Sequence, residues 1–124
     1  MMLLDSNIII YSALPHNELL RNFIRVNSPF VSEISRIEVL GFHRLTEHEI
    51  DYFGKFFKST TLLSISEEVI TKALSLRQRR KMTLGDSLIA ATALVNDLKL
   101  VTSNTKDFKW VDELDLINPL ESDR

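Results

Sequence analysis

Apolar and polar positions along this chain change period several times, and each change marks an element. Met2-Leu3-Leu4 is a short apolar run that stops at Asp5-Ser6-Asn7, the pattern of a strand and a turn. Ile8 to Leu14 reads as a helix that ends before Pro15, because the residue preceding a proline is pushed out of helical backbone. Between Asn17 and Val26, apolar Leu19, Leu20, Phe23, Ile24 and Val26 recur at the helical spacing of three and four. Phe30-Val31, after Pro29, reads as a second strand, and Ser32 opens a helix with Ile34, Ile37, Val39, Leu40 and Phe42 apolar. Thr46 and Glu49 form a capping box for a helix carrying Ile50, Phe53, Phe56 and Phe57.

Thr61 to Ile65 reads as a third strand. Ser66 caps a helix that runs to about Arg80, with Glu67 and Glu68 against its positive end. Thr83 begins another helix from Leu84 to about Asn96. Leu100-Val101-Thr102 is a fourth strand, and Leu114 to Ile117 supplies a fifth. Strands that are short and almost wholly apolar, alternating with helices, predict an α/β fold with three α/β/α layers around a short central parallel sheet. In such sheets ligands sit beyond the carboxyl ends of the strands.

Composition narrows the class. A chain of 124 residues has the size of one domain, here expected to span 1–124, and buries roughly two-thirds of its unfolded surface. It has no cysteine, which excludes disulfides, thiolate metal sites and thiol nucleophiles. The longest apolar stretch, Leu88 to Val95, is interrupted by Thr92 and falls far short of the roughly 20 residues of a membrane span. With no signal-peptide pattern at its start, the chain reads as cytoplasmic. Its net charge is −2, so any phosphate-binding surface has to be local.

The acids give the strand-end rule its content. Asp5 ends the first strand, Asn104 and Asp107 follow the fourth, Glu38 lies on the helix after the second strand, and Asp86 sits in the first turn of the Thr83 helix. Each has a local reading. Asp5 suits a turn or N-cap, Asp86 stands three residues after Thr83, and Glu38 stands three after Ser35 or is solvated. Brought into one cleft, such carboxylates would repel and take up protons unless a cation stood among them. Mg²⁺ or Mn²⁺ suits oxygen ligands and polarises water and phosphate. That chemistry needs no His, Cys or Ser nucleophile.

Four segments in order carry a family resemblance: Leu3 to Ile10, Ser32 to Leu40, Leu84 to Ala93, and Leu100 to Phe108. Together they resemble the PIN-domain ribonucleases, in particular the VapC-type toxins of bacterial toxin–antitoxin pairs, over nearly the whole chain. The resemblance implies a PIN-like fold and Mg²⁺- or Mn²⁺-dependent cleavage of RNA. It implies Asp5, Glu38 and Asp86 as the metal-binding acids. Many relatives carry an acid where this chain has Asn104, so the fourth position is shared between Asn104 and Asp107. Ser6 would assist through a water or phosphate contact. A homodimer and a small antitoxin that blocks the site and, as a complex, binds promoter DNA are implied as well.

Arg77-Gln78-Arg79-Arg80-Lys81 is the densest basic run. It either offsets a helix macrodipole or holds phosphates, with Arg79 and Arg80 as the substrate-side candidates. Arg36, beside Glu38, is a third. Tyr11 and Trp110 have the chemistry for base stacking, and neither is assigned that role. His16, His43 and His48 lack zinc-site spacing and read as surface residues. Three other α/β readings compete. A haloacid dehalogenase-type phosphohydrolase needs a second Asp where Asn7 stands. A two-component receiver needs paired acids at the start. A PIN fold used as a non-catalytic interaction module would have lost its acids, and only Asn104 speaks for it.

Overall fold

Strands of two or three residues have too little length to stand alone, so their order in the sheet comes from burial on both faces. The structure, a computed structural model, describes residues 1–121; residues 122–124 of the expected domain lie outside the described residues. Strands β1 (Met2–Leu4), β2 (Phe30–Ser32), β3 (Thr61–Leu63), β4 (Lys99–Val101) and β5 (Leu116–Ile117) form one sheet in the order β3-β2-β1-β4-β5. Every pairing is parallel, with Leu3 of β1 opposite Phe30 on one side and Leu100 on the other.

Alternation of side chains sorts the core into two halves. Leu3 and Leu100 point to one face, where α5 (Glu67–Arg79), α6 (Leu84–Val95) and α7 (Thr105–Phe108) cover them with Leu76, Ile89 and Phe108. Leu4, Val31 and Val101 point to the other, beneath α1 (Ser6–Ser12), α2 (Glu18–Asn27), α3 (Glu33–Leu40) and α4 (Glu47–Lys58). Leu3, Leu4, Leu100 and Val101 are fully buried, as expected for a parallel sheet with both faces covered. The three-layer α/β/α expectation therefore holds. Among the described residues no helix is long and apolar enough to cross a membrane.

Several boundaries differ from the sequence reading, for local reasons. α1 starts at Ser6 rather than Ile8, because Asp5 is its N-cap and accepts the Ser6 N–H. α3 stops at Leu40, so Phe42 lies beyond Gly41 and is exposed rather than part of the helix stripe. β3 ends at Leu63, short of Ile65, and β5 starts at Leu116, since Leu114 closes a turn onto the Val111 carbonyl. α7 has four residues, too few for a period to show. Ser32, Thr46, Ser66 and Thr83 cap their helices as expected.

The order of the strands also places a crevice. From β1 the chain steps to β2 and β3 on one side, then returns to β4 and β5 on the other. The carboxyl ends of β1 and β4 therefore flank a topological switch point, where open α/β sheets bind ligands.

Candidate active site

Asp5 follows β1 at that switch point. Its main chain donates to the Val101 carbonyl at 2.9 Å, which locks it to the end of β4. Its carboxylate is held on both oxygens: Oδ1 accepts from Ser6 N at 2.8 Å and Oδ2 accepts from Thr102 Oγ1 at 2.8 Å. Thr102 Oγ1 in turn accepts the Asn104 N–H at 3.0 Å. The strand end, the first turn of α1 and the start of α7 thus fix one buried side chain that is only 5% exposed. Each oxygen keeps a lone pair for a further partner.

Glu38 comes from α3 and reaches the same place by two contacts. Ser6 Oγ donates to Glu38 Oε1 at 2.7 Å and pairs with Ser35 Oγ at 2.9 Å. The other oxygen, Oε2, lies against Gly85 of α6, so close that a Cβ on that glycine would stand 2.4 Å from it. Asp86 is the next residue of α6, and its N–H donates to the capping hydroxyl of Thr83 at 3.1 Å. Asp86 shares a cleft of about 390 Å³ with Lys81, Met82, Thr83 and Asp107. A second cavity of about 370 Å³, between α2 and α4 and lined by Arg21, Arg25, Tyr52 and Phe56, contains no carboxylate.

Asp5 and Asp86 both feel the charge of Glu38. Burial pushes the Asp5 carboxyl up to about 6, and the charges of Asp86 and Glu38 push the same way against the Thr102 and Ser6 hydrogen bonds. Burial also raises Asp86, with Asp107 and Glu38 adding to it. Carboxylates that raise one another's pKa are short of positive charge. Among the described residues no three acids approach closely enough to make a finished metal cage. An open oxygen set of this kind still fits Mg²⁺ or Mn²⁺, because a small hard cation keeps several waters and needs no closed protein cage.

Comparisons with known proteins identify the family. Residues 2–114 match the profile of the PIN domain. The chain belongs to the PIN-domain family. Over 111 residues it is 35% identical to Ribonuclease VapC1 of Rickettsia felis, an alignment that covers 86% of this chain and 72% of that protein. Among solved structures it resembles a toxin–antitoxin complex from Klebsiella pneumoniae, with 26% identity, TM-score 0.79, and 98% of this chain and 100% of the other covered. It also resembles VapBC2 from Rickettsia felis bound to a DNA fragment from their promoter, with 22% identity, TM-score 0.84, and 94% and 97% covered.

Within this PIN domain the remaining candidate residues separate by position. Asp107 shares the cleft with Asp86, whereas Asn104 is tied through its main chain to Thr102 and so to Asp5. Ser6 is buried and spends its hydroxyl on Glu38 and Ser35. Arg36 is held by Glu33 through Nε at 2.6 Å and a second bond at 3.2 Å. Arg79 pairs with Glu113 at 3.3 Å, and the guanidinium carbons of Arg79 and Arg80 lie 5.3 and 5.6 Å from the centre of the Trp110 ring. His16, His43 and His48 are exposed.

Three residues of the site carry no assignment from the sequence. Thr102 sits at the end of an apolar strand, where a hydroxyl reads as a strand residue. Gly85 gives no signal beyond its place next to Asp86. Lys81 belongs to the basic run, but only the position of the α5–α6 turn shows that it, and not Arg79 or Arg80, lines the cleft with Asp86 and Asp107.

Proposed function

We propose that this PIN domain is a Mg²⁺- or Mn²⁺-dependent ribonuclease, the toxin of a toxin–antitoxin pair. The observation that carries the reading is the crowding of Asp5, Glu38 and Asp86 at the switch point, where burial and mutual repulsion raise Asp5 to about 6. Asp5, Glu38 and Asp86 would hold the cation, which when bound activates water and neutralises charge developing on a phosphate. Asp107 completes the acidic rim beside Asp86, and Asn104 stands behind Asp5 through Thr102.

The chain's own part is orientation. Thr102 and the Ser6 N–H fix the Asp5 carboxylate, Ser6 Oγ fixes Glu38, and the Thr83 cap fixes the first turn of α6 that carries Asp86. The nearby hydroxyls are engaged in these bonds, so the nucleophile in this reading is water, and the products keep the atoms of the phosphodiester plus one water. Lys81 on the rim offers positive charge to a substrate phosphate. The ribonuclease name of the Rickettsia felis relative supports RNA as the substrate.

A homodimer and a small antitoxin belong to the same reading, as does action on RNA in the cytoplasm. Exposed Leu19, Val26, Ile37, Phe42 and Ile50 supply apolar surface for such contacts. The presence of all three principal acids favours catalysis over a non-catalytic interaction module.

The test is cleavage of RNA by purified, partner-free protein. Cutting is expected with Mg²⁺ or Mn²⁺ and is expected to stop on addition of EDTA. Asp5→Asn and Asp86→Asn should each abolish it while circular dichroism stays that of the folded chain. Wild-type rates in both variants would overturn the site, and undiminished cleavage in EDTA would overturn the metal dependence. A small protein that co-purifies with the chain should form a complex that no longer cuts.

A further inference from the structure

Four cations, Arg77, Arg79, Arg80 and Lys81, crowd the end of α5 and the turn into α6. Offsetting the helix macrodipole accounts for cations in a last turn, and two of the four have local partners. Arg77 Nε donates to the Met82 carbonyl at 3.4 Å, and Arg79 Nη1 donates to Glu113 Oε2 at 3.3 Å. Neither Arg80 nor Lys81 forms an ion pair among the described residues. Of the four, these two lie nearest in sequence to Met82, Thr83 and Asp86 of the acidic cleft, and Lys81 lines it.

Trp110 gives this end of the run a fixed surface. Its ring packs against the core on the Leu3 face, and its Nε1 donates to the Asp107 carbonyl at 3.1 Å. The indole is therefore anchored to the segment that carries Asp107, one of the residues of the cleft. Both guanidiniums lie within cation–π distance of it, Arg79 at 5.3 Å and Arg80 at 5.6 Å. Two like charges at the end of one helix repel, and the negative face of an indole offsets part of that repulsion. An arginine held on a ring also has less freedom to lose when its planar fork meets a phosphate.

We propose that Trp110 is a positioning residue for a phosphate-binding subsite. It holds Arg79 and Arg80 beside the acidic cleft, where with Lys81 they take backbone phosphates of the RNA strand flanking the cleaved bond. The proposal rests on the ribonuclease reading of the cleft. It also gives an acidic chain, of net charge −2, a local place to hold a polyanion.

Binding is measured on the full chain carrying Asp86→Asn, with Mg²⁺ present, using a short fluorescein-labelled single-stranded RNA and fluorescence anisotropy over a range of salt. Arg80→Ala should weaken binding about fivefold and lower the slope of log affinity against log salt by about 1. Trp110→Leu, which keeps an apolar body but has no ring, should weaken it by roughly threefold, and Trp110→Phe should stay within about twofold of the parent. Combined with Arg80→Ala and Arg79→Ala, Trp110→Leu should add nothing, because its effect passes through the two guanidiniums. Thermal melts confirm that each variant is folded, and Arg80→Ala, at an exposed position, keeps the test available should the Trp110 variants unfold. Parent-like affinity and salt slope in Arg80→Ala, or in a folded Trp110→Leu, would overturn the subsite while leaving the ribonuclease reading in place. A parent that binds no RNA, together with a wild type that cuts none, would overturn both.

Discussion

Alanine at Gly85 would set a methyl carbon 2.4 Å from Glu38 Oε2 and 3.3 Å from its Cδ. Non-bonded heavy atoms settle near 3.5 Å, so the carboxylate has to withdraw by about 1 Å. The backbone itself accepts the change, because Gly85 does not have positive φ. Alanine in a helix is favoured over glycine by up to about 1 kcal/mol. Stability and function should therefore part company. Glu38 is a flexible side chain on the rim, held by Ser6 Oγ at 2.7 Å on its other oxygen, and it gives way more readily than α6 does. A displacement of about 1 Å at a reacting site costs on the order of 100-fold in rate, or about 2.7 kcal/mol in the barrier.

Three measurements on Gly85→Ala separate the causes: initial rates of RNA cleavage at saturating Mn²⁺, Mn²⁺ affinity by calorimetry, and thermal melting in EDTA. The expected result is an unchanged or higher melting temperature, Mn²⁺ affinity lower by about tenfold, and a rate lower by about 100-fold. Wild-type affinity and rate would refute the reasoning, since Glu38 would then work equally well from a displaced position. A large fall in melting temperature would refute it differently, by placing the clash in the packing of α3 against α6.

The remaining predictions concern the acids and their holders. In metal-free protein the Asp5 carboxyl titrates near 6 when folded and 3.8 when unfolded, so the folded chain binds more protons between these values and stability falls as pH rises through the window. Urea melts should show a loss approaching 3 kcal/mol that is missing in Asp5→Asn; parallel profiles would refute it. Ser6→Ala removes the donor to Glu38 Oε1 and should cost about 1 kcal/mol of stability, with weaker Mn²⁺ binding by calorimetry; unchanged Mn²⁺ binding would count against a holding role. Mn²⁺ at about 100 times its dissociation constant should stabilise the wild type by about 2.7 kcal/mol, and thermal melts of Asp5→Asn should show little of that gain.

Much of this is legible in the sequence, and the legible part has a common origin. Ser32, Thr46, Ser66 and Thr83 mark helix starts because a capping hydroxyl is a local device, complete within a few residues. Asp5 and Asp86 stand out for the same reason: one ends an apolar run and the other follows a cap. Contacts between elements leave no such mark. Thr102 meets Asp5 across 97 residues and Ser6 meets Glu38 across 32, and nothing near either residue announces its partner. Gly85 has its meaning only where α6 passes α3. Arg79, Arg80 and Lys81 look alike in the run, and they are told apart by where α5 stops and by where Trp110 sits.

The same contrast explains how so small a sheet carries an acidic site. Three carboxylates held apart by flexible loops would relax outward or take up protons. Here Asp5 cannot move, because a strand end, an N-cap and the Thr102 hydroxyl all bind it. Asp86 stands on the capped first turn of α6, and Glu38 is confined between Ser6 and Gly85. Burial and, after it, repulsion are therefore kept within the folded state and together show as the raised Asp5 pKa. A cation relieves that repulsion, so the rigidity that makes the crowding costly is also what would make a divalent ion bind there. Loosening any of the three holders should therefore weaken the protein's hold on the ion.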